Sequence, residues 1–239
     1  MEQLRKKAEL LNIVLDDEQL MQFDTYYQML METNKVMNLT AITEKEAVID
    51  KHFIDSIALG NVMELEKQSV IDIGTGAGFP GIPLKIAFPH LNITLIDSLN
   101  KRVCFLNLVI ETLKLNNIIA AHFRAEECGQ AVAYREQFDV CVSRAVANLS
   151  VLSEYCIPLV KKNGYFVAYK SKHIAQEVEA AGNAISVLGG QCEEIRELTL
   201  PETDMIRKFL MIKKISNTPK TYPRKAGFAK QVKKSGYQA

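Results

Sequence analysis

The segment richest in chemical content is VIDIGTGAGFPG, residues 70–81. An apolar run enters Gly74, Gly76 and Gly78, and Pro80 stands where a helix would begin. Glycines at such a turn let the backbone fold tightly and approach a ligand that any Cβ would obstruct. A proline in the first helical turn costs no hydrogen bond. Read from Gly76, the same residues satisfy Gly-x-Gly-x-x-Gly, ending at Gly81, a pattern with frequent chance matches. Two nucleoside ligands therefore compete for the turn, a dinucleotide and S-adenosylmethionine.

Three neighbours weigh between them. Asp72, two residues before Gly74, is read as an acid aimed at the ligand, which suits an ammonium and a sulfonium and would repel a pyrophosphate. Asp97 ends the next apolar run, where a carboxylate can accept both hydroxyls of a ribose; it fits either ligand. Arg124-Ala125-Glu126 is read as the end of a third strand, with a polar pair at the height of an adenine edge. Further along, Arg144 follows Ser143 at the end of a fourth strand. Its guanidinium can grip a phosphate or a guanine edge in a fork, or serve as a structural ion pair. Lys170 ends a fifth strand and is either a phosphate contact or a solvated lysine.

The elements that must carry these residues follow from periodicity. Asp16 and Gln19 can form a capping box, after which Leu20, Phe23, Tyr27, Leu30 and Met31 recur at helical steps. NKVMNLTAIT interrupts the pattern, and a second helical run is expected from Glu44 to Met63, with Lys51, His52 and Asp55 on one face. From Ser69 onward, short β-rich runs alternate with helical stretches starting near Pro80, Asn100, Leu149 and Ala175, which means βαβ units and a parallel sheet. The final runs, QCEEIRELTL and KFLMIKKI, lack a helix between them and are expected to pair antiparallel around Pro201. The expected fold is thus α/β, a mostly parallel Rossmann-like sheet with an antiparallel edge. Its divisions are a helical extension over 1–64, the sheet domain over 65–216 and a basic tail over 217–239.

Composition narrows the setting. Apolar residues make up 48% and charged residues 24%, the balance of a globular protein, and no apolar run reaches membrane-spanning length. No signal-peptide core opens the chain. The cysteines at 104, 128, 141, 156 and 192 form no Cys-x-x-Cys, and His52, His90, His122 and His173 stand away from them, so neither a disulfide scaffold nor a metal site is expected. A reducing cytoplasm, a monomer and no membrane partner are the expectations. After Asp204 the chain holds ten Lys and Arg and no acid, although its net charge is only +1. In that stretch Tyr222, Phe228 and Tyr237 interleave with Lys220, Arg224, Lys225, Lys230, Lys233 and Lys234, a mixture suited to looped RNA, although a solvated tail has the same charge. Lys101 and Arg102 open a helix, where its dipole disfavours cations; a polyanion or a nearby carboxylate would explain them.

Taken together, VIDIGTGAGFPGIPLKI, LIDSLNKR, SRAVA, NLTAI and KHFIDS resemble the bacterial guanine-N7 methyltransferases of small-subunit ribosomal RNA, once called glucose-inhibited division protein B. The resemblance runs from about Asn34 to Lys225. It implies a class I methyltransferase sheet, S-adenosylmethionine as donor, small-subunit ribosomal RNA or the ribosomal subunit as partner rather than DNA, and cofactor contacts at Gly74, Phe79, Ala125, Glu126 and Arg144. The ending YPRKAGFAK departs from the proline-punctuated YPRKPG type of the family. Guanine N7 attacks through a free lone pair, so the chemistry asks for alignment and no general base. The residues agree: there is no Asn-Pro-Pro-aromatic or Asp-Pro-Pro-aromatic clamp for an exocyclic amine, and Cys141 and Cys156 sit in apolar stretches that read as core. Lys101, Arg102, Lys220, Arg224 and Lys225 are the candidate RNA contacts, with Arg144 and Lys170 nearest the acceptor. His52 and Asp55 are expected to brace the helical cap, and Asn34 and Asn38 to shape the turn after the first long helix. A methyltransferase acting on a small molecule or a protein keeps the cofactor site but leaves the basic end unexplained; a dinucleotide-dependent oxidoreductase has no use for Asp72.

Overall fold

The computed structural model describes residues 1–144, 147–171 and 174–225. The sequence readings that fall on Ala145, His173, Phe228, Lys230, Lys233, Lys234 and Tyr237 lie outside these residues. Helix α1 (Glu2–Glu9) leads to α2 (Asp17–Met37). The Asp16 side chain accepts from the Gln19 N–H at 2.8 Å while the Gln19 side chain accepts from the Asp16 N–H at 2.9 Å, so the capping box forms. Leu20, Phe23, Tyr26 and Leu30 form the buried stripe; Tyr26 rather than Tyr27 faces inward. Asn38 ends α2 in the left-handed region at φ 50°, and Asn34 clasps Thr40 through both its side-chain atoms.

The expected single helix over 44–63 is broken into α3 (Lys45–Val48), a π-helical segment Ile49–Ile54, α4 (Asp55–Ile57) and α5 (Leu59–Val62). The wider π turn occurs where Lys51, His52 and Asp55 must all face one cavity, a setting in which such bulges concentrate.

The sheet consists of β1 (Ser69–Ile73), β2 (Asn92–Asp97), β3 (Ile118–His122), β4 (Phe138–Ser143), β5 (Val160–Lys170), β6 (Gly190–Thr199) and β7 (Ile206–Lys214), in the order β3-β2-β1-β4-β5-β7-β6. The first five are parallel, and β7 runs antiparallel to both β5 and β6. Helices α6 (Gly81–Ala87), α7 (Asn100–Thr112), α8 (Ala125–Gln130), α9 (Leu149–Cys156) and α10 (Ala175–Val187) connect them. One end of the third strand differs from the sequence reading: β3 stops at His122, and Ala125 and Glu126 begin α8.

β1 is buried over Val70–Ile73, as a central strand covered on both faces must be. One apolar cluster joins Leu4, Phe23 and Phe53 of the N-terminal helices to Leu84 of α6 and to Leu95 and Phe209 of the sheet, so residues 1–64 share the core of the sheet. A second cluster, with Cys141, Cys156, Phe166 and Leu210, fills the other face. The segment after β7 also belongs to the folded body. Arg135 donates to the carbonyls of Thr218 at 2.8 Å and Tyr222 at 2.7 Å, and Thr218 is buried, so the boundary expected at 217 falls within a strap that is packed as far as Arg224.

Candidate active site

Two cavities lie side by side at the carboxyl ends of the parallel strands, the position where open α/β sheets hold ligands. The smaller, about 350 Å³, sits over β1, β2 and β3 and is lined by Gly74, Ile96, Asp97, Arg102, Phe123, Arg124, Ala125, Glu126, Leu152 and Tyr155. The larger, about 690 Å³, sits over β4, β5 and β7 and is lined by Lys51, His52, Asp55, Arg144, Asn148, Tyr169, Lys170, Glu177 and Arg207. Ala147 lines both.

The glycine turn meets the smaller cavity through Gly74. Gly74, Gly76 and Gly78 have φ of 72°, 63° and 109°, where an L side chain is strained. The N–H groups of Gly74 and Thr75 bond the Ile96 carbonyl at 3.0 and 3.1 Å, tying the turn to β2. A Cβ built on Gly78 would lie 2.6 Å from Ile82 and 2.8 Å from the Tyr26 hydroxyl, so this glycine serves helix packing. One built on Gly76 meets no protein atom within 4 Å, leaving the backbone there open to a ligand.

Asp97 is 3% exposed and accepts the Gly76 N–H at 2.9 Å, the Leu99 N–H at 2.9 Å and, more loosely, Arg102 at 3.4 Å. It thereby fixes the turn while standing at the cavity edge, and it accounts for Arg102 at the start of α7. Lys101 beside it is exposed. The lining fits an adenosine moiety: Asp97 and Glu126 offer carboxylates to hydroxyl and amino groups, and Ile96, Phe123 and Leu152 offer apolar faces for a flat base.

Asp72 is not aimed into this cavity. It is buried beneath the turn, where one carboxylate oxygen accepts the Thr75 hydroxyl at 2.7 Å and the Gly81 N–H at 2.9 Å; the other has no partner among the described residues. Burial raises its pKa to about 6, against the lowering effect of the Thr75 and Gly81 bonds. Its observed part is to hold the turn to the first residue of α6. Phe79 likewise faces away from the smaller cavity, stacked on His52 with ring centroids 4.4 Å apart and beneath the Arg144 guanidinium at 5.1 Å.

Arg144, a cofactor contact by the family resemblance, lines the larger cavity and not the smaller; there it donates to Asp55 at 2.9 Å, to the Lys51 carbonyl at 3.0 Å and to His52 Nδ1 at 3.2 Å. A guanidinium only donates, so Nδ1 accepts and Nε2 carries the proton toward the Thr40 hydroxyl at 2.8 Å. Burial, reinforced by Arg144, depresses the His52 pKa to about 4, so the ring is neutral at pH 7. Lys170 is neither solvated nor free: it pairs with Glu177 at 2.7 Å and donates to the Ala147 carbonyl at 3.1 Å. Glu177 also accepts the Leu149 N–H at 2.7 Å, so the pair clamps the loop between the cavities. Arg224 is held in a fork by the fully buried Glu154 at 2.6 and 2.9 Å, an arrangement set by packing rather than by a solvent-facing role, whereas Lys220 and Lys225 are exposed.

Sequence reasoning missed Arg207, Tyr155 and Glu177, and it placed Lys51 on one face with His52 and Asp55 without giving it a functional role. Arg207 is contributed by the antiparallel strand and meets Asp55 at 2.6 Å across 152 residues of chain, for which no local pattern exists. Tyr155 had a readable signal, the three-residue steps Leu149, Leu152, Tyr155 along α9.

A family model described as GidB, rRNA small subunit methyltransferase G, matches residues 19–206. The chain is 53% identical over 218 residues, 91% of its length and 90% of the relative's, to ribosomal RNA small subunit methyltransferase G of Lachnoclostridium phytofermentans. It is 50% identical, over 90% of both chains, to the protein of that name from Bacillus subtilis. Among solved structures it is similar in fold to M. jannaschii TYW2 in complex with AdoMet, with a TM-score of 0.55 at 16% identity over 73% of this chain and 80% of that one. TrmN from Thermus thermophilus gives a TM-score of 0.52 at 12% identity over 70% of this chain and 53% of that one.

Proposed function

The chain belongs to the rRNA small subunit methyltransferase G family, and from that premise we propose that it transfers a methyl group from S-adenosylmethionine to N7 of a guanine in small-subunit ribosomal RNA. The observation that carries the reading is the pairing of two cavities across Ala147, one with an adenosine-type donor set and the other cationic. When bound, S-adenosylmethionine supplies a methyl group on a sulfonium that leaves as a neutral thioether.

In this reading Asp97 and Glu126 hold the ribose and adenine, and the Gly74–Gly76 turn gives the backbone close approach to the cofactor. The larger cavity presents Lys51, Arg144, Lys170 and Arg207 against Asp55 and Glu177, a cationic excess suited to phosphates and the O6 edge of guanine. N7 methylation forms an N–C bond from a lone pair and releases no proton, so the protein contributes alignment and desolvation. The neutral His52, already committed to Thr40 and Arg144, supports a site that works without a general base.

Lys101, Lys220 and Lys225 are exposed cations that would meet flanking phosphates, making affinity for RNA fall steeply with salt. The reading includes a monomer acting in the cytoplasm with no membrane or DNA partner; among the described residues no helix is long and apolar enough to cross a membrane.

The deciding experiment is methyl transfer from labelled S-adenosylmethionine to small-subunit ribosomal RNA, naked and in particles, with the product nucleoside identified. Label recovered as 7-methylguanosine at one position is the expected result. A protein that binds the cofactor yet labels neither RNA form would overturn the substrate while sparing the donor site, and labelling of a small molecule or protein instead would name the replacement.

A further inference from the structure

Asp55 is 2% exposed and belongs to the short helix after the π-helical segment. Its two oxygens serve different strands: Oδ2 accepts Arg144 Nη1 at 2.9 Å from the end of β4, and Oδ1 accepts Arg207 Nε at 2.6 Å from β7. Arg144 and Arg207 both line the larger cavity, with side chains only 18% and 20% exposed. Two guanidiniums converging on one wall repel each other, and a single buried carboxylate between them lowers that cost while leaving the triad with net positive charge.

Nothing else among the described residues bridges the two. Arg144 spends its remaining bonds on the Lys51 carbonyl and His52, whereas Arg207 has only a weak bond to its own neighbour's carbonyl at 3.4 Å. Asp55 thus takes the inner nitrogen of Arg207 and leaves the outer end of that guanidinium on the cavity side.

We propose that Asp55 is a positioning residue for methyl transfer: it sets the spacing and orientation of Arg144 and Arg207 so that together they present one fixed donor array to the acceptor nucleotide. The proposal rests on the RNA methyltransferase reading above and adds to it the residue that makes the cationic cavity geometrically specific. In this role Asp55 acts through the two arginines. A carboxylate is required because each of its oxygens must accept. An asparagine offers one acceptor and one amide NH2, and the latter would face a guanidinium donor to donor.

The test compares wild-type protein, Asp55→Asn and Asp55→Glu in methyl transfer to the small-subunit RNA or particle, with S-adenosylmethionine affinity measured in parallel by equilibrium dialysis. The donor cavity shares no residue with the triad, so cofactor affinity in Asp55→Asn should stay within a few-fold of wild type. A misplaced array should cost on the order of 100-fold in kcat at saturating RNA, as loss of alignment does. Asp55→Glu, which restores two acceptors one methylene further out, should recover part of the rate. Should Asp55→Asn fail to fold, the kcat of Asp55→Glu decides alone: a reduced kcat with normal cofactor binding supports the proposal, and an unchanged kcat overturns it. Equal rates in wild type and Asp55→Asn, or a parallel fall of cofactor affinity and kcat, would also overturn it. An inactive wild-type protein would overturn both this proposal and the functional reading beneath it, whereas a defect absent from the variants overturns this proposal alone.

Discussion

Arg224→Ala separates a structural cation from a nucleic-acid contact. Glu154, on α9, is fully buried, with a side-chain exposure of 0%, and Arg224 approaches it with two guanidinium nitrogens and its own backbone N–H at 2.8 Å. The guanidinium also lies over the Tyr222 ring at 5.6 Å, and the strap leading to it is fastened by Arg135 and Glu136. Removing one member of a buried pair leaves the other desolvated, which costs about 3–5 kcal/mol when both are enclosed. Arg224 keeps 31% exposure, which places the expected loss near the lower end, roughly 3 kcal/mol. For a chain of this size that is about 6–12 °C in Tm. The loss cannot exceed the energy holding the strap, since beyond that point the strap lifts away and Glu154 is solvated. Thermal melts should therefore be paired with amide hydrogen exchange at Thr218, Tyr222 and Arg224, whose protection should fall together. Arg224→Lys, which keeps the charge but not the fork, should fall between. A Tm within about 2 °C of wild type, combined with a clear drop in RNA affinity, would refute the argument and return Arg224 to the RNA surface.

Three further outcomes are expected. His52 has a pKa of about 4 in the folded protein against an ordinary 6.5, so the unfolded chain binds the extra proton first and stability is lost as pH falls through this window. The full span corresponds to roughly 3 kcal/mol, and Asp72, raised to about 6, opposes it from pH 6 downward; pH-dependent melts of His52→Gln against wild type should isolate the histidine contribution as a flatter acid limb. Gly81→Ala would place its Cβ 2.2 Å from Leu95 Cδ2 and 3.0 Å from Asp72 Oδ2, and chemical denaturation should report a loss of about 1–3 kcal/mol. Lys101→Ala removes an exposed cation outside both cavities, so melts should be unchanged while the salt dependence of RNA binding becomes shallower by about 0.7 in log–log slope; an unchanged slope would take Lys101 off the RNA path.

What the sequence determined by itself is what short-range rules write into it. The capping box at Asp16 and Gln19, the alternation that makes the parallel strands, the helix-free link between β6 and β7 and the glycine turn at 74–78 are all legible, because each depends on residues within a few positions of one another. Asp97 belongs with them, since the end of a strand before a helix is a place that the pattern alone locates. The break of the 44–63 run into a π-helical segment is not, because its composition suits an ordinary α-helix.

The tertiary structure alone decided the fate of each charge. Asp72 and Asp97 read alike in sequence, as acids at strand ends, yet one is sealed under the turn and the other stands at the cavity edge. Arg224 and Lys220 read alike as basic residues of the last segment, yet one grips a buried carboxylate and the other is solvated. Asp55 and Arg207 gain their meaning only when strand β7 inserts beside β5 and brings them together. The physical reason is common to all of them: a charged side chain's role is set by desolvation and by the partners within a few ångströms, and both are properties of through-space packing that local sequence does not encode.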